Sequence, residues 1–407
     1  MNRSLRFPIS PFFIVVLAIV IEVTGGGLLF PVLPFLVERF RSDALTITLL
    51  AASFATAQFF AAPVLGNLSD RFGRRPILVL CTLGTALTFF LFGIASALWV
   101  MFVAQIANGI TGGLVSTAQA YIADISDSPQ ERTKNFGAIG AAAGIGFILG
   151  PLLGGSLAGI DLRLPVFLAG GTALCNSALA YFVLPESLER KSTEPIRLQD
   201  LNPLGQLRDL LSRPQLRSLM LGYFTFFLAF AGFTSIFVVL VRDRYDWGPM
   251  QSAGVLFFVG IVASVVQGGL IRKLLPRFGE LRLMLAGFSL VALALCLVAL
   301  SPRGYYLYGT QAMFAFGIGI ASPSLRGSIA SSVPDSEQGK VSGGTQSLSS
   351  LTQILGPLLA GWTYDNWQPT WPLWISAGLV LVAIAAIASS STLRSGVTAP
   401  VPTAAKE

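Results

Sequence analysis

One acidic side chain, Glu22, interrupts the first long apolar run of the sequence. It lies about eleven residues into that run, which is roughly 16 Å along a helix and near the middle of a ~30 Å hydrocarbon layer. A charged acid at that depth costs about 3 kcal/mol, so we expect Glu22 to face an internal cavity. A carboxyl group in such a place can take up and release a proton, and we therefore predict a proton-coupling role for it. The alternative is a permanently neutral Glu22 that hydrogen-bonds to a neighbouring helix.

One basic side chain, Arg326, lies inside a later apolar run, after Pro323 and a few residues from the end of the run. It either extends to the membrane surface, as long basic side chains do, or attracts an anionic group of a substrate. Neutral polar side chains in other runs are candidate donors and acceptors of a cavity, although each alone is more often an interhelical hydrogen bond. They are Gln58, Gln105, Asn108, Gln119, Gln346 and Gln353.

Four phenylalanines, Phe226, Phe230, Phe233 and Phe237, recur at helical spacing in the seventh apolar run. Residues three and four apart share one face of a helix. We expect this stripe to pack against lipid, and the alternative is the wall of a cavity for a drug-like molecule.

The remaining residue types argue against catalysis. The chain has no histidine, and its three cysteines, Cys81, Cys175 and Cys296, lie in apolar runs without a CxxC spacing. Imidazole-based catalysis, a metal site and a disulfide framework are therefore disfavoured, and we interpret the cysteines as buried thiols. We expect no enzymatic activity, no metal and no cofactor.

The composition shows which elements position these residues. Of 407 residues, 53% are hydrophobic and only 12% are charged, too few to cover a soluble protein of this size. The net charge of +7 is carried beside apolar runs, which favours a lipid bilayer over nucleic acid as the partner. We predict an all-α membrane protein with twelve transmembrane helices, because a helix satisfies its own backbone hydrogen bonds in lipid. The predicted spans are 11–36, 45–65, 76–95, 98–122, 135–158, 164–184, 216–240, 250–270, 281–300, 305–330, 341–361 and 371–388.

The basic residues predict the orientation of these spans. Of the 27 Lys and Arg residues, six fall in loops on one side, one lies in a span and the other twenty lie on the side of both termini. Since cytoplasmic loops carry the excess of basic residues, both termini are predicted to be cytoplasmic. The first span is too long for a signal-peptide core, so we expect it to remain in place. The polar stretch Pro185–Gln215 is predicted to be a cytoplasmic linker.

A weak internal repeat divides the chain into halves. Arg71-Phe72-Gly73 recurs as Arg277-Phe278-Gly279, and Gly150-Pro151 recurs as Gly356-Pro357, both at an offset of 206 residues. We therefore predict two pseudo-symmetric six-helix bundles, 1–184 and 216–390, joined by the linker 185–215 and followed by a tail, 391–407. In a transporter of this plan the substrate binds near the middle of the bilayer between the halves.

The loop after the second span reads Gly-Asn-Leu-Ser-Asp-Arg-Phe-Gly-Arg-Arg over residues 66–75. This sequence resembles the GxLxDRxGRR signature of the major facilitator superfamily. The resemblance implies that the loop is a conformational latch between the halves in the outward-facing state. Its residues are Gly66, Asp70, Arg71, Gly73, Arg74 and Arg75. Asp70 is expected to receive helix N-terminal N–H groups or to pair with a nearby arginine.

The fifth span ends in Gly-Pro-Leu-Leu-Gly-Gly over residues 150–155. It resembles the GPxxGG antiporter motif, which exporters of that superfamily carry more often than importers do. Glycines four residues apart let helices approach closely, and a proline bends a helix, so we predict a hinge or a tight seam. The residues are Gly146, Gly150, Pro151, Gly154 and Gly155. Packing alone is the alternative.

Together with Glu22, Gly109-Ile-Thr-Gly-Gly and Asp124, these motifs resemble the tetracycline/proton antiporter branch over most of the chain. That branch usually has Asp at the position of Glu22 and Arg at the position of Gln105. A further alternative for Arg326 is that it supplies the positive charge that Gln105 lacks. The resemblance implies a secondary transporter that exports a small amphipathic or drug-like molecule in exchange for protons. We expect it to be a monomer. A proton-coupled importer or a lipid flippase on the same scaffold is the alternative.

The charge asymmetry makes a direct prediction about the C-terminus. A reporter enzyme that is active only in the periplasm, fused after Glu407, should be inactive in intact cells because the tail is cytoplasmic. The same reporter inserted after Arg303 should be active. Activity of the fusion after Glu407 would contradict both the orientation and the even number of spans.

Overall fold

A computed structural model of the chain describes residues 10–188, 205, 213, 216–334 and 337–389. Those residues are arranged in fourteen α-helices and one short π-helix: α1 Pro11–Leu29, α2 Leu33–Val37, α3 Ala44–Phe72, α4 Arg74–Gly93, α5 Leu98–Thr111, α6 Leu114–Asp124, α7 Pro129–Ala158, α8 Leu164–Phe182, α9 Arg217–Tyr245, α10 Pro249–Val265, the π-helix Val266–Leu270, α11 Ile271–Leu300, α12 Tyr306–Ser331, α13 Gln338–Asn366 and α14 Trp371–Ala388. The all-helical expectation is confirmed. Most of the predicted linker, the N-terminal arginines and the C-terminal tail lie outside the described residues.

Local sequence signals fix several helix starts. Ser10 and Asp43 accept hydrogen bonds from the backbone of the first turns of α1 and α3, and Pro11 fits the N1 position of α1. Ser128 accepts from Glu131 N at 3.2 Å, while the Glu131 carboxylate accepts from Asp127 N at 3.0 Å. This reciprocal arrangement starts α7 in the manner of a capping box.

Within the described residues, nine helical stretches are long and apolar enough to cross a membrane. One of them, Pro249–Leu300, covers the predicted eighth and ninth spans. The tenth and eleventh predicted spans coincide with α12 and α13, which are less apolar. The count of twelve spans stays a prediction.

Two predicted spans are not continuous helices. The first predicted span is broken between α1 and α2 at Pro31, and the fourth is broken between α5 and α6 at Gly112 and Gly113. Gln58 of α3 reaches into the second break and donates from Nε2 to the Gly112 carbonyl at 2.9 Å. A side chain from a neighbouring helix thus satisfies a backbone group that the break frees.

The turn between α3 and α4 and a kink inside α11 share one backbone feature. Gly73 has φ 114° in that turn and Gly279 has φ 73° at the kink, and no other glycine among the described residues has a positive φ. Side chains with a Cβ rarely adopt these angles, so glycine is needed at both positions. The two positions are 206 residues apart, the offset of the sequence repeat.

Helix packing repeats in the same pattern. The first half contains the pairs α1–α7, α4–α8, α3–α5 and α1–α8, and the second half contains the corresponding pairs α9–α13, α11–α14, α10–α12 and α9–α14. Between the halves, α3 packs on α13 and α7 packs on α10. Each half therefore contributes one copy of the same helix pair to the interface, which agrees with the predicted pseudo-symmetry.

The halves meet at one end and separate at the other. We call the end with Ala44 of α3 and Asn366 of α13 the outer end, and the end with the Gly73 turn the inner end. Asp365 of α13 accepts from Ala44 N at 3.0 Å and from Leu45 N at 2.7 Å, which joins the halves at the outer end. Along α7 the last glycine near α10 is Gly144, where an added Cβ would lie 3.8 Å from Ser264 Oγ.

Closer to the inner end, a Cβ added to Gly137 or Gly140 of α7 would meet no described atom within 4 Å. The same holds for Gly268 and Gly269 in the π-helix. On this face α7 and the segment that continues α10 are therefore apart at the inner end, and we call the space between the two halves there the central cavity.

Two expectations about side-chain environment are wrong. Phe226, Phe233 and Phe237 are at most 2% exposed and pack inside the second half, where Phe226 stacks on Phe288 with ring centroids 4.3 Å apart. The stripe does not face lipid, because it points to the helices that surround α9. Of the three cysteines only Cys81 is buried, and Cys175 is exposed.

The contact between α1 and α7 predicts that replacing a glycine of α7 by alanine destabilises the protein only where that glycine touches α1. A Cβ on Gly150 would lie 2.6 Å from Gly27 Cα, so Gly150→Ala should lower the free energy of unfolding by about 1–3 kcal/mol. Thermal unfolding in detergent measures the effect. Gly140→Ala on the same helix is the control, since its added methyl meets open space. Equal melting temperatures for the two variants would contradict the packing argument.

Candidate functional site

Glu22 lies just past the middle of α1, a helix that runs from the inner to the outer end. Its Oε2 atom is buried and has no hydrogen-bond partner among the described residues, and the same is true of Thr24 Oγ1. The neutral alternative of the sequence analysis, a Glu22 hydrogen-bonded to a neighbouring helix, therefore lacks its partner at Oε2 in this conformation. An unsatisfied buried carboxyl oxygen is costly, and binding a proton or a ligand relieves that cost.

The glycines predicted as a hinge form the contact between α7 and α1. Gly146 lies against Val23 and Thr24, Gly150 against Gly27, and Gly154 against Leu28. These glycines are four residues apart and therefore share one face of α7. Pro151 joins the same contact, with its Cδ 3.3 Å from the Cβ position of Gly27. The result is a tight seam that begins one residue after Glu22.

Gly155 belongs to a different face of α7. It packs against Pro249 and Ala253 at the start of α10, in the other half. Gly260 of α10 faces Ile148 of α7, so the contact continues toward the inner end. The motif residues thus fix α7 between α1 of its own half and α10 of the opposite half.

The polar side chains of the first half have three different environments. Gln58 is used in the break between α5 and α6, so it is bonded to backbone. Gln105 is buried at 7% exposure, and Asn108 is half-buried one turn later. Gln119 of α6 is exposed. These four residues therefore differ in exposure and in hydrogen bonding.

Two glutamines of the second half share a face of α13. Gln346 and Gln353 are exposed, seven residues apart. The opposite face of α13 exposes Leu355, Leu359 and Trp362, the side chains that suit lipid. Because polar groups turn away from lipid, the glutamines lie on the cavity side.

Arg326 of α12 is exposed, and its guanidinium lies over the ring of Phe227 of α9, 5.9 Å from the ring centroid. This distance is typical of a cation–π contact. No carboxylate of the described residues forms an ion pair with it.

The predicted latch is built around Arg74, which is 9% exposed. Its guanidinium pairs with Asp70 at 2.5 Å, with Asp124 of α6 at 3.1 Å, and donates to Ser69 Oγ at 2.6 Å. Of the two roles expected for Asp70, the structure shows pairing with an arginine. Such a network fixes the end of α3 to the end of α6.

Glu186 has the second role that was expected of Asp70. Its carboxylate accepts from Arg74 N at 2.8 Å and from Arg75 N at 3.3 Å, at the N-terminus of α4. A negative charge is stabilised there by the free N–H groups and the helix dipole. Arg75 donates to the Tyr181 carbonyl and lies over its ring.

The other latch residues are at the surface of the inner end. Arg71 is exposed, and a Cβ on Gly66 would meet no described atom within 4 Å. The latch therefore binds helices of its own half in this conformation, and the face that carries Gly66 is open. Glu186 and Asp124 were not predicted for this site, and Asp365 was not predicted for the contact at the outer end. Their position between an apolar run and a polar segment was the available signal.

Comparison with known proteins decides the family. The family model of the Major Facilitator Superfamily matches residues 15–278 and 273–406. The chain belongs to the major facilitator superfamily. Among curated relatives, the class C tetracycline resistance protein of Escherichia coli is 33% identical over 375 residues, which cover 91% of this chain and 94% of that protein. Multidrug resistance protein 2 of Bacillus subtilis (strain 168) is 29% identical, covering 90% and 91%.

The solved structures agree with this assignment. The crystal structure of the human organic anion transporter MFSD10 (TETRAN) is similar with a TM-score of 0.71 and 25% identity, covering 92% of this chain and 98% of that chain. The resemblance to the tetracycline/proton antiporter branch is therefore confirmed, and the protein is an integral membrane transporter of the drug-transporter kind rather than an enzyme.

The latch network predicts that a carboxylate is needed at Asp70. Asp70→Asn keeps the size of the side chain but removes the charge that pairs with Arg74, so transport should fall while the protein still reaches the membrane. Export from cells, normalised to the amount of membrane-inserted protein, measures this. Asp127→Asn, an exposed acid at the same end, should transport normally. Full transport by Asp70→Asn would show that the loop serves only for orientation.

Proposed function

We propose that this transporter exports a small amphipathic or drug-like molecule in exchange for protons, by alternating access, and that Glu22 carries the proton. The observation that carries the proposal is the buried and unpartnered Oε2 of Glu22, placed beside the seam between α1 and α7. A carboxyl group that is isolated in one conformation and wetted in the other exchanges its proton between the two sides.

Alternating access is supported by the arrangement of the interface. The halves are joined at the outer end by Asp365 and separate at the inner end beyond Gly144. The interface consists of two helix pairs, α3–α13 and α7–α10, and the pseudo-symmetry of the halves relates one pair to the other. A rocking motion about these pairs closes the inner end and opens the outer one.

The direction of export is supported by the relatives, which include a tetracycline resistance protein and a multidrug resistance protein. The motif Gly150–Gly155 adds to this, because it resembles the motif that exporters carry. We propose further that the protein works as a monomer in an inner or plasma membrane, with both termini cytoplasmic. In that orientation the observed conformation is inward-facing.

Glu22→Gln tests the proton-coupling role. Glutamine has a similar size and still hydrogen-bonds but does not titrate, so the variant should fold and lose uphill transport driven by a pH gradient. The assay is tetracycline-driven proton movement and [3H]tetracycline uptake in proteoliposomes with matched protein amounts. If tetracycline is not carried, a compound selected from a susceptibility screen of deletion and overexpression cells replaces it.

Glu131→Gln is the matched control. Its carboxylate accepts a backbone N–H at the start of α7, and glutamine can accept the same hydrogen bond. The control should couple transport to protons as the wild type does. Unchanged coupling in Glu22→Gln would refute the role of Glu22, and transport that accumulates substrate along the proton flux would favour the importer. Movement of a labelled lipid would favour the flippase.

A further inference from the structure

We propose that Arg326 and Phe227 form the substrate-recognition site of the second half, and that the preferred substrates are amphipathic organic anions with an aromatic or apolar body. This inference rests on the proposed transport function, since it names the chemical class that the central cavity accepts. Both residues face the central cavity, the Arg326 side chain extends into the bundle, and no described carboxylate pairs with its charge.

Phe227 faces the central cavity. Three contacts show which face of α9 points to which helix. Phe226 packs on Phe288 of α11, and Phe230 packs on Phe314 of α12. Gly232 lies against Gly356 of α13. Since successive residues are turned by about 100°, Phe227 lies between the directions of α12 and α13. Gly222, which contacts Ile387 of α14, lies on the other side of α9.

Arg326 faces the same space. Around α12, Phe314 marks the direction of α9, and Gly319, which contacts Val266 of the π-helix, marks the direction of the α10 segment. A step of about 100° per residue places Arg326 on nearly the same face as Gly319, turned by about 20° toward the direction of α9. Ser328, which donates to Glu280 at 2.7 Å, is turned away toward α11. Glu280 belongs to α11 and lies beside Gly327, where an added Cβ would be 2.8 Å from its Oε1, but it forms no ion pair with Arg326.

The side chain of Arg326 extends into the bundle and not toward the membrane surface. Phe314 of α12 and Phe233 of α9 lie at the same depth in the bundle, because their ring centroids are 4.7 Å apart. From that depth, the backbone of Arg326 is twelve residues and roughly 18 Å closer to the inner end. The backbone of Phe227 is only six residues and roughly 9 Å closer, so it lies deeper in the bundle than that of Arg326. The guanidinium reaches the deeper ring because helical side chains point toward the helix N-terminus, which in α12 is the outer end. The snorkelling alternative is thus disfavoured.

The charge of Arg326 has no ion-pair partner among the described residues. Its guanidinium lies over the face of Phe227, and no described carboxylate lies within ion-pair distance of it. A stacked guanidinium keeps its in-plane N–H donors free for a carboxylate, sulfonate or phosphate, which it binds with two parallel hydrogen bonds. Phe230, which is partly exposed and stacks on the buried Phe314 with centroids 6.1 Å apart, continues the aromatic wall. One end of the site therefore fits an anion and the other fits an apolar ring.

A pair of probes with the same body and different charge tests this site. Equilibrium binding of 1-naphthoate and of 1-naphthamide to purified protein is measured by isothermal titration at a single pH, without a proton gradient. We expect the wild type to bind the carboxylate about ten- to a hundredfold more tightly than the amide, because a hydrogen bond to a charged group is the stronger one. Arg326→Gln should abolish this preference, and Arg326→Lys should retain part of it.

Three further variants separate the possible outcomes. Arg272→Gln removes an exposed charge at the inner end and should keep the preference, whereas Phe227→Leu should reduce it a few-fold because the guanidinium loses its support. Glu22→Gln should keep it, so that a failure of proton coupling is distinguishable from a failure of this site. Equal binding of the two probes by the wild type, or a preference that survives Arg326→Gln, would overturn the proposal. Near-wild-type melting temperatures establish that the variants are folded.

Discussion

The close approach of helix backbones at glycine is the contact on which the arrangement of both halves depends. Lipid is as apolar as leucine, so burying apolar side chains provides little driving force between helices in a bilayer, and close packing has to provide it. Gly27 meets Gly150 between α1 and α7, and Gly232 meets Gly356 between α9 and α13. Each seam places the first helix of a half beside the cavity. Glu22 and Phe227 obtain their positions from these seams.

The helical architecture was predictable from the sequence, because long apolar runs in lipid have one stable backbone solution. The repeat was also visible, and the turn at Gly73 and the kink at Gly279 show why: both need a positive φ that only glycine adopts readily. Glu22 and Arg326 were recognisable for a similar reason, since a charge in an apolar run is rare.

Which side chains point to lipid and which point into the bundle was less predictable. In these helices apolar residues surround the axis, so periodicity does not distinguish the lipid side from the bundle side. The phenylalanine stripe of α9 was assigned to lipid for that reason, although Phe226 and Phe233 are buried. Glu186 was missed as the cap of α4 because its contact with Arg74 N joins residues 112 positions apart, and no local pattern reports such a contact.

The cap that Asp365 provides for α3 has an energetic consequence for exchange between conformations. The carboxylate of one half satisfies two N–H groups of the other, and both partners regain water when the outer end opens. A hydrogen bond to a charged group contributes a net ~1.5–3 kcal/mol, which shifts a two-state population roughly ten- to a hundredfold. A bias of that size is large enough to favour one resting state and small enough for the free energy of ligand binding to reverse it. The cap can thus set the occupancy of the two states without trapping the protein in either.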